Sequence, residues 1–202
     1  MLTSNLPQDI INIAADFKIT IVLIGGLALP AYNVARTTLD IDICINIESQ
    51  EKLNQFIKIL SKKGISTLQN PKIGHKLFTV FGKQGEAEIW LSPCDAFDWD
   101  DEMVNQVKKF HSNVYVLAIE DFMITKLARA DRSAIDIDDI LQILIANKSK
   151  IDWQYLRYRL KWAKVENEFK EILKVFELDV ESNYKNISKE ILDKYNNLNK
   201  NL

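Results

Sequence analysis

The sequence predicts an α+β fold: a mixed β-sheet flanked by helices in residues 1–118, followed by a helical region, 119–202, packed on that core. Two patterns and the composition predict it. Short β-branched or alternating runs are confined to the first part, where glycines and turn residues punctuate them. Longer segments with apolar residues at helical spacing fill the second part. The chain is 47% hydrophobic and 27% charged, so it can bury an ordinary core without disulfides or a structural metal.

Residues 7–17 open with a helix, because Ile10, Ile11, Ile13 and Ala14 recur at helical spacing after Pro7. Residues 19–24 are too short and too β-branched for a helix and predict a buried strand ending at Gly25-Gly26. A helix is expected from Leu27, with Pro30 tolerated in its first turn. Residues 40–47 alternate strictly, with Asp40, Asp42, Cys44 and Asn46 on one face and four isoleucines on the other. That pattern predicts a strand with a wet and a dry face. Ser49 caps an amphipathic helix that ends near Gly64. Residues 65–68, 77–81 and 87–91 are further strand candidates, and 114–117 is the one strand expected after residue 95. Helices are expected at about 119–130, 133–146, 152–164, 166–178 and 187–195, with a frayed Asn/Lys-rich tail at 196–202.

Composition narrows the function. The net charge is −2 from 26 basic and 28 acidic residues, which lacks the basic surplus of proteins that track a long nucleic acid. Residues 148–174 are a local exception, with Lys and Arg beside Trp153, Tyr155, Tyr158 and Trp162. Cys44 and Cys94 show no metal-ligand spacing, and His75 and His111 stand alone, so buried free thiols in a reducing compartment are expected. Residues 1–8 lack the blocks of a signal peptide, and the longest apolar run, 19–30, is too short to cross a bilayer. The expectation is a cytoplasmic protein with no membrane partner.

Asp40 and Asp42 are the chemical centre of this reading. Residues two apart on a strand share a face, roughly 7 Å apart along the chain. Carboxylates so placed repel, and a divalent cation with hard-oxygen preference such as Mg²⁺ removes that cost. Upstream, Gly25-Gly26 joins a strand to a helix N-terminus, where backbone N–H groups and the helix dipole favour a phosphate.

The stretch GGLALPAYNVARTTLDIDICI resembles the nucleotidyltransferase superfamily that includes DNA polymerase beta. The shared pattern is Gly-Gly, a spacer, and then Asp-hydrophobic-Asp. The resemblance implies the nucleotidyltransferase fold and a metal-dependent enzyme that transfers NMP from an NTP substrate. It implies Asp40 and Asp42 as metal ligands for Mg²⁺ or Mn²⁺, and a third carboxylate on a neighbouring strand. Glu88, within Ala87-Glu88-Ile89, fits that third place as metal ligand and base, with Glu86 as the rival on the same face. Gly25, Gly26, Arg36 and Thr38 are the implied phosphate-binding set.

A second block, residues 119–140, resembles AbiEii-type and related bacterial nucleotidyltransferases. There Lys126 fits the lysine that meets the triphosphate, and Asp136 and Asp139 fit the acidic pair. Ile135 replaces the usual basic residue before the first of them. Residues 151–173 resemble the closing helix pair of that group. Trp153, Leu156, Leu160 and Trp162 read as packing, while Arg157, Arg159, Lys161 and Lys164 read as a solvated face open to an RNA acceptor. The implied acceptor is tRNA, a protein or a small molecule. A toxin with an antitoxin partner, an antibiotic-modifying transferase and a catalytically silent nucleotide-binding module are the readings to separate.

Overall fold

The computed structural model describes residues 5–178 and 185–197. Part of the tail expectation, 198–202, lies outside the described residues. The chain divides into two compact units. The first takes the residues up to Ala28 together with Arg36–Leu117, and the second takes Leu29–Ala35 and everything from Ala118. The short stretch Leu29–Ala35, placed by the sequence pattern with the core, is thus grouped with the helices.

The first unit begins with α1 (Leu6–Asp16), capped by the Asn5 side chain, which accepts from the Gln8 amide. It continues through β1 (Thr20–Leu23), β2 (Asp42–Asn46), α2 (Gln50–Lys62), β3 (Ser66–Thr67), β4 (Leu77–Gly82), β5 (Gly85–Trp90), α3 (Asp101–Gln106), β6 (Lys108–His111) and β7 (Val114–Val116). The strands form one seven-stranded sheet in the order β3-β4-β5-β2-β1-β7-β6. Pairing is mixed: β1 runs antiparallel to β2, while β1–β7 and β2–β5 are parallel.

One face of this sheet is the core. Ile10, Ile13, Leu53, Phe56 and Leu60 from α1 and α2 cluster with Ile21, Ile43, Ile45, Phe78, Val80 and Ile89 from the strands. Alternation explains the choice, since the isoleucines of β2 all fall on one side.

Four expectations change. The segment after Gly25-Gly26 is a 3-10 helix, Gly25–Tyr32, and Pro30 lies near its end rather than in the first turn of an α-helix. Strand β2 begins at Asp42, so Asp40 lies in the preceding exposed loop instead of on the strand. The face read as wet from alternation is covered at Cys44, which is a fully buried free thiol, as its lack of metal-ligand spacing led one to expect. Burial pushes its thiol well above the ordinary range, and Cys94 and Trp99 are its neighbours there. Finally, α3 and β6 were not foreseen: α3 is one short turn-and-a-half capped by Asp100, and the side chains of β6 are all exposed, leaving no apolar alternation to read.

The second unit holds α4 (Ile119–Leu127), α5 (Ala134–Asn147), α6 (Trp153–Trp162), α7 (Glu166–Leu178) and α8 (Lys185–Asn197). Its start signals are chemical. Ser133 and Asp136 form a reciprocal capping box on α5, and Asp152 caps α6 by accepting from the Tyr155 amide. Asn147 ties the Leu29–Ala35 stretch to this unit by donating to the Tyr32 carbonyl at 2.6 Å and accepting from Asn33 at 3.1 Å. Tyr32 also packs on Phe122 with ring centroids 4.7 Å apart. No helix among the described residues is long and apolar enough to cross a membrane.

Candidate active site

In the sheet unit, the two central strands β2 and β5 bring a carboxylate pair together. Asp42 and Glu88 are direct register partners in the parallel pairing, so their side chains rise from the same face on strands about 4.8 Å apart. The ladder runs one bond further, because the Glu88 amide donates to the Ile41 carbonyl at 2.9 Å. Glu86 is exposed and its register partner is Phe81 on β4, with no partner on β2. Register therefore sets Glu88, not Glu86, beside Asp42.

The glycine turn lies against the same carboxylate. Gly25 has φ +56°, and a Cβ built on it would meet Asp42 Oδ2 at 2.2 Å. Only glycine allows both the left-handed backbone and this approach. The Ile24 amide donates to the Asp42 carbonyl, which carries the β1–β2 pairing up to the turn. At Gly26 a Cβ would meet Thr38 Cβ at 2.8 Å, so the Thr38 side chain packs directly on that glycine. Thr38 Oγ1 in turn accepts from the Asp40 amide at 3.3 Å. One threonine thus connects the turn to the loop that carries Asp40. Arg36 is half-buried at the start of that loop.

A divalent ion is implied by the resemblance, and the residues fit one in chemistry and placement. Asp42 and Glu88 are hard oxygen donors in register, and the space over Gly25 is reserved for the Asp42 carboxylate. Among the described residues no three His, Cys, Asp or Glu side chains gather closely enough to hold a metal. The structure therefore sets two carboxylates in register, with Asp40 near them in sequence but on an exposed loop.

Lys126, Asp136 and Asp139 meet in the helical unit. Lys126 Nζ lies 3.0 Å from Asp136 and 2.7 Å from Asp139, and the three side chains are at most 7% exposed. Burial alone would raise the Asp136 carboxyl, but hydrogen bonds from Ser133 and Lys126 outweigh it and hold the group below its ordinary value. The lysine charge is answered by two carboxylates inside this unit. Arg129 bridges to exposed Asp131 at 3.0 Å, and Arg132 donates to the Leu127 carbonyl at the end of α4.

Arg159 departs from its expected solvated position. It is fully buried, with Nε 2.6 Å from Asp121 Oδ1, and both side chains are 0% exposed. Tyr155 Oη donates to the other oxygen of Asp121 at 2.8 Å, and Trp162 stacks on the guanidinium at 4.0 Å. Helical periodicity alone hid this, because arginines between Leu156 and Leu160 read as surface residues. The Asp two positions into α4 was its available signal, since buried charges occur in pairs.

The mixed seven-stranded sheet with its flanking helices is a nucleotidyltransferase fold, and in it the glycine turn lies over Asp42 with Glu88 in register beside it. The structure is similar to the solution structure of the antibiotic-resistance factor ANT(2'')-Ia, with TM-score 0.53 and 15% identity over 82% of this chain and 96% of that one. It is similar also to ANT(2'')-Ia in complex with adenylyl-2''-tobramycin, with TM-score 0.52 and 14% identity over 79% of this chain and 95% of that one. A third likeness is JHP933 from Helicobacter pylori, with TM-score 0.51 and 17% identity over 97% and 91%. At these identities the likeness is one of fold. No curated protein matches the chain in sequence. Residues 4–192 match the family described as "Nucleotidyltransferase of unknown function (DUF6036)", and the chain belongs to that family.

Proposed function

We propose that this nucleotidyltransferase moves a nucleoside monophosphate from an NTP to a hydroxyl acceptor on an RNA, a protein or a small molecule, with pyrophosphate released. The observation that carries the reading is the Asp42–Glu88 register pair with the Asp42 carboxylate over Gly25. Asp40, Asp42 and Glu88 would hold Mg²⁺ or Mn²⁺, which when bound offsets the negative charge of the triphosphate and of the transition state. The backbone N–H groups at Gly25 and Gly26, with Arg36, cradle phosphate oxygens at the start of the 3-10 helix. The Asp40 amide donates a hydrogen bond to Thr38 Oγ1, which ties the Asp40 loop to the threonine packed on Gly26.

Glu88 accepts the acceptor hydroxyl's proton as its oxygen bonds to the α-phosphorus and the bond to pyrophosphate breaks. Positioning and charge neutralisation supply most of the acceleration. Lys126, with Asp136 and Asp139 around it, is proposed to fix α4 against α5 rather than to touch phosphate, because two carboxylates already hold its ammonium. The finer placement we infer is with AbiEii-type transferases, acting in the cytoplasm as the toxin of a toxin–antitoxin pair. The second block, residues 119–140, supports it.

The test is incubation with labelled NTPs and Mg²⁺ against total RNA, protein and aminoglycoside acceptors. Label should move to one acceptor class and disappear in Asp42→Asn. Failure of the folded protein to bind any NTP refutes the reading, and binding without transfer across all acceptors supports a silent nucleotide-binding module instead. Growth arrest on expression that Asp42→Asn abolishes marks the toxin; label on an aminoglycoside marks the antibiotic-modifying alternative.

A further inference from the structure

Trp90 follows Glu88 by two positions on β5, and so stands on the same face of the sheet. Its indole Nε1 donates to Glu88 Oε2 at 3.2 Å. The tryptophan is itself fixed by the sheet, where its register partners are Cys44 on β2 and Leu77 on β4. Both side chains are half-buried, which limits competition from water for the bond. The bond engages one carboxylate oxygen, Oε2.

Glutamate has three side-chain torsions, so on an open strand its carboxylate would sample several positions. Glu86 is in that situation: it is exposed, and Trp90 points its donor at Glu88. We propose that Trp90 is a positioning residue for the nucleotidyl-transfer site, its indole N–H pinning Glu88 in the orientation that receives the divalent ion and the acceptor hydroxyl. This rests on the assignment of Glu88 to the site made above. The chain thereby fixes a carboxylate on three torsions with a donor two residues on. Residues that orient a ligand through a hydrogen bond, without touching the metal, commonly change metal affinity by about 10- to 100-fold.

Mn²⁺ binding to the full chain, followed by the electron paramagnetic resonance of the free ion, tests this in four proteins: wild type, Trp90→Phe, Glu88→Gln and the double variant. Trp90→Phe should weaken Mn²⁺ by about 10-fold while the thermal melt stays close to wild type. In the Glu88→Gln background the same change should have little further effect, because a residue acting through Glu88 is not additive with its loss. Wild-type affinity in Trp90→Phe, or losses that simply add, overturns the role of Trp90 and leaves the site assignment standing. If wild type itself binds no Mn²⁺, the site assignment and this inference fall together. A second measurement needs no tryptophan variant. The chain has four tryptophans, so an ¹⁵N-indole spectrum has four N–H peaks. Glu88→Ala should shift one of them strongly, and Mg²⁺ should move that same peak in wild type; four peaks unmoved by Glu88→Ala overturn the inference.

Discussion

Replacing Gly25 by alanine separates what the turn needs from what the site needs. The residue has φ +56°, and placing an L side chain there costs about 1–2 kcal/mol on backbone grounds alone. The new methyl would also lie 2.2 Å from Asp42 Oδ2, so the carboxylate must retreat by roughly 1 Å to reach ordinary contact. Asp42 is at the first position of β2 and its backbone is held by the ladder to β5, so the side chain must absorb most of that shift. An off-rotamer torsion adds about 0.5–1.5 kcal/mol. The total loss of stability should be about 1.5–3.5 kcal/mol.

Gly64→Ala is the control, since Gly64 has φ +80° and no atom within 4 Å of a built Cβ. It should lose only the backbone part, about 1–2 kcal/mol. Urea denaturation measures both, and Mn²⁺ and NTP titrations measure the site. Gly64→Ala should bind as wild type. Gly25→Ala should lose about 100-fold or more in transfer rate, the scale of a 1 Å misplacement at a reacting centre. Wild-type Mn²⁺ affinity and transfer in Gly25→Ala would show that the Asp42 carboxylate is not used where the structure sets it.

Two further outcomes concern the helical unit. Asp121→Ala leaves the Arg159 guanidinium buried without its carboxylate and should cost about 3–5 kcal/mol in chemical denaturation, whereas Asp121→Leu with Arg159→Met should recover most of that; equal losses in both proteins would contradict a buried pair. Glu120 is buried, which raises its carboxyl above the ordinary value, although the Asp152 amide donates to it at 2.6 Å. A carboxyl raised in the folded state holds its proton longer than in the unfolded chain, so stability is undiminished below the unfolded value and falls as pH rises toward the folded one. Glu120→Gln keeps an acceptor for Asp152 and should therefore raise the melting temperature at pH 7, with the gain shrinking as pH falls into the usual carboxyl range; a gain constant with pH would refute the cause.

Local pattern made much of this molecule legible. The alternation in residues 40–47 set the isoleucines of β2 on one face, and the core lies there. Ser49 announced its helix by a cap, because a cap is chemistry between neighbours in sequence. The Gly-Gly turn and the Asp-Ile-Asp triplet pointed to the sheet end where the carboxylate pair lies. What failed was of another kind. Alternation cannot say where pairing stops, so Asp40 was read onto a strand that begins at Asp42. Strand β6, whose side chains all face solvent, has no burial to impose a pattern.

By itself, then, the sequence determined the class of fold and offered the candidate carboxylates, since both follow from the order of residue types along a few strands and turns. Tertiary structure decided which of those residues meet. Register between β2 and β5 set Glu88 rather than Glu86 beside Asp42, and no local pattern contains the register of strands more than forty positions apart. Packing decided burial, which took Arg159 inside to Asp121 and closed Lys126 between Asp136 and Asp139. A charge is read as exposed until the chain brings its partner, and for these groups only the folded chain does so.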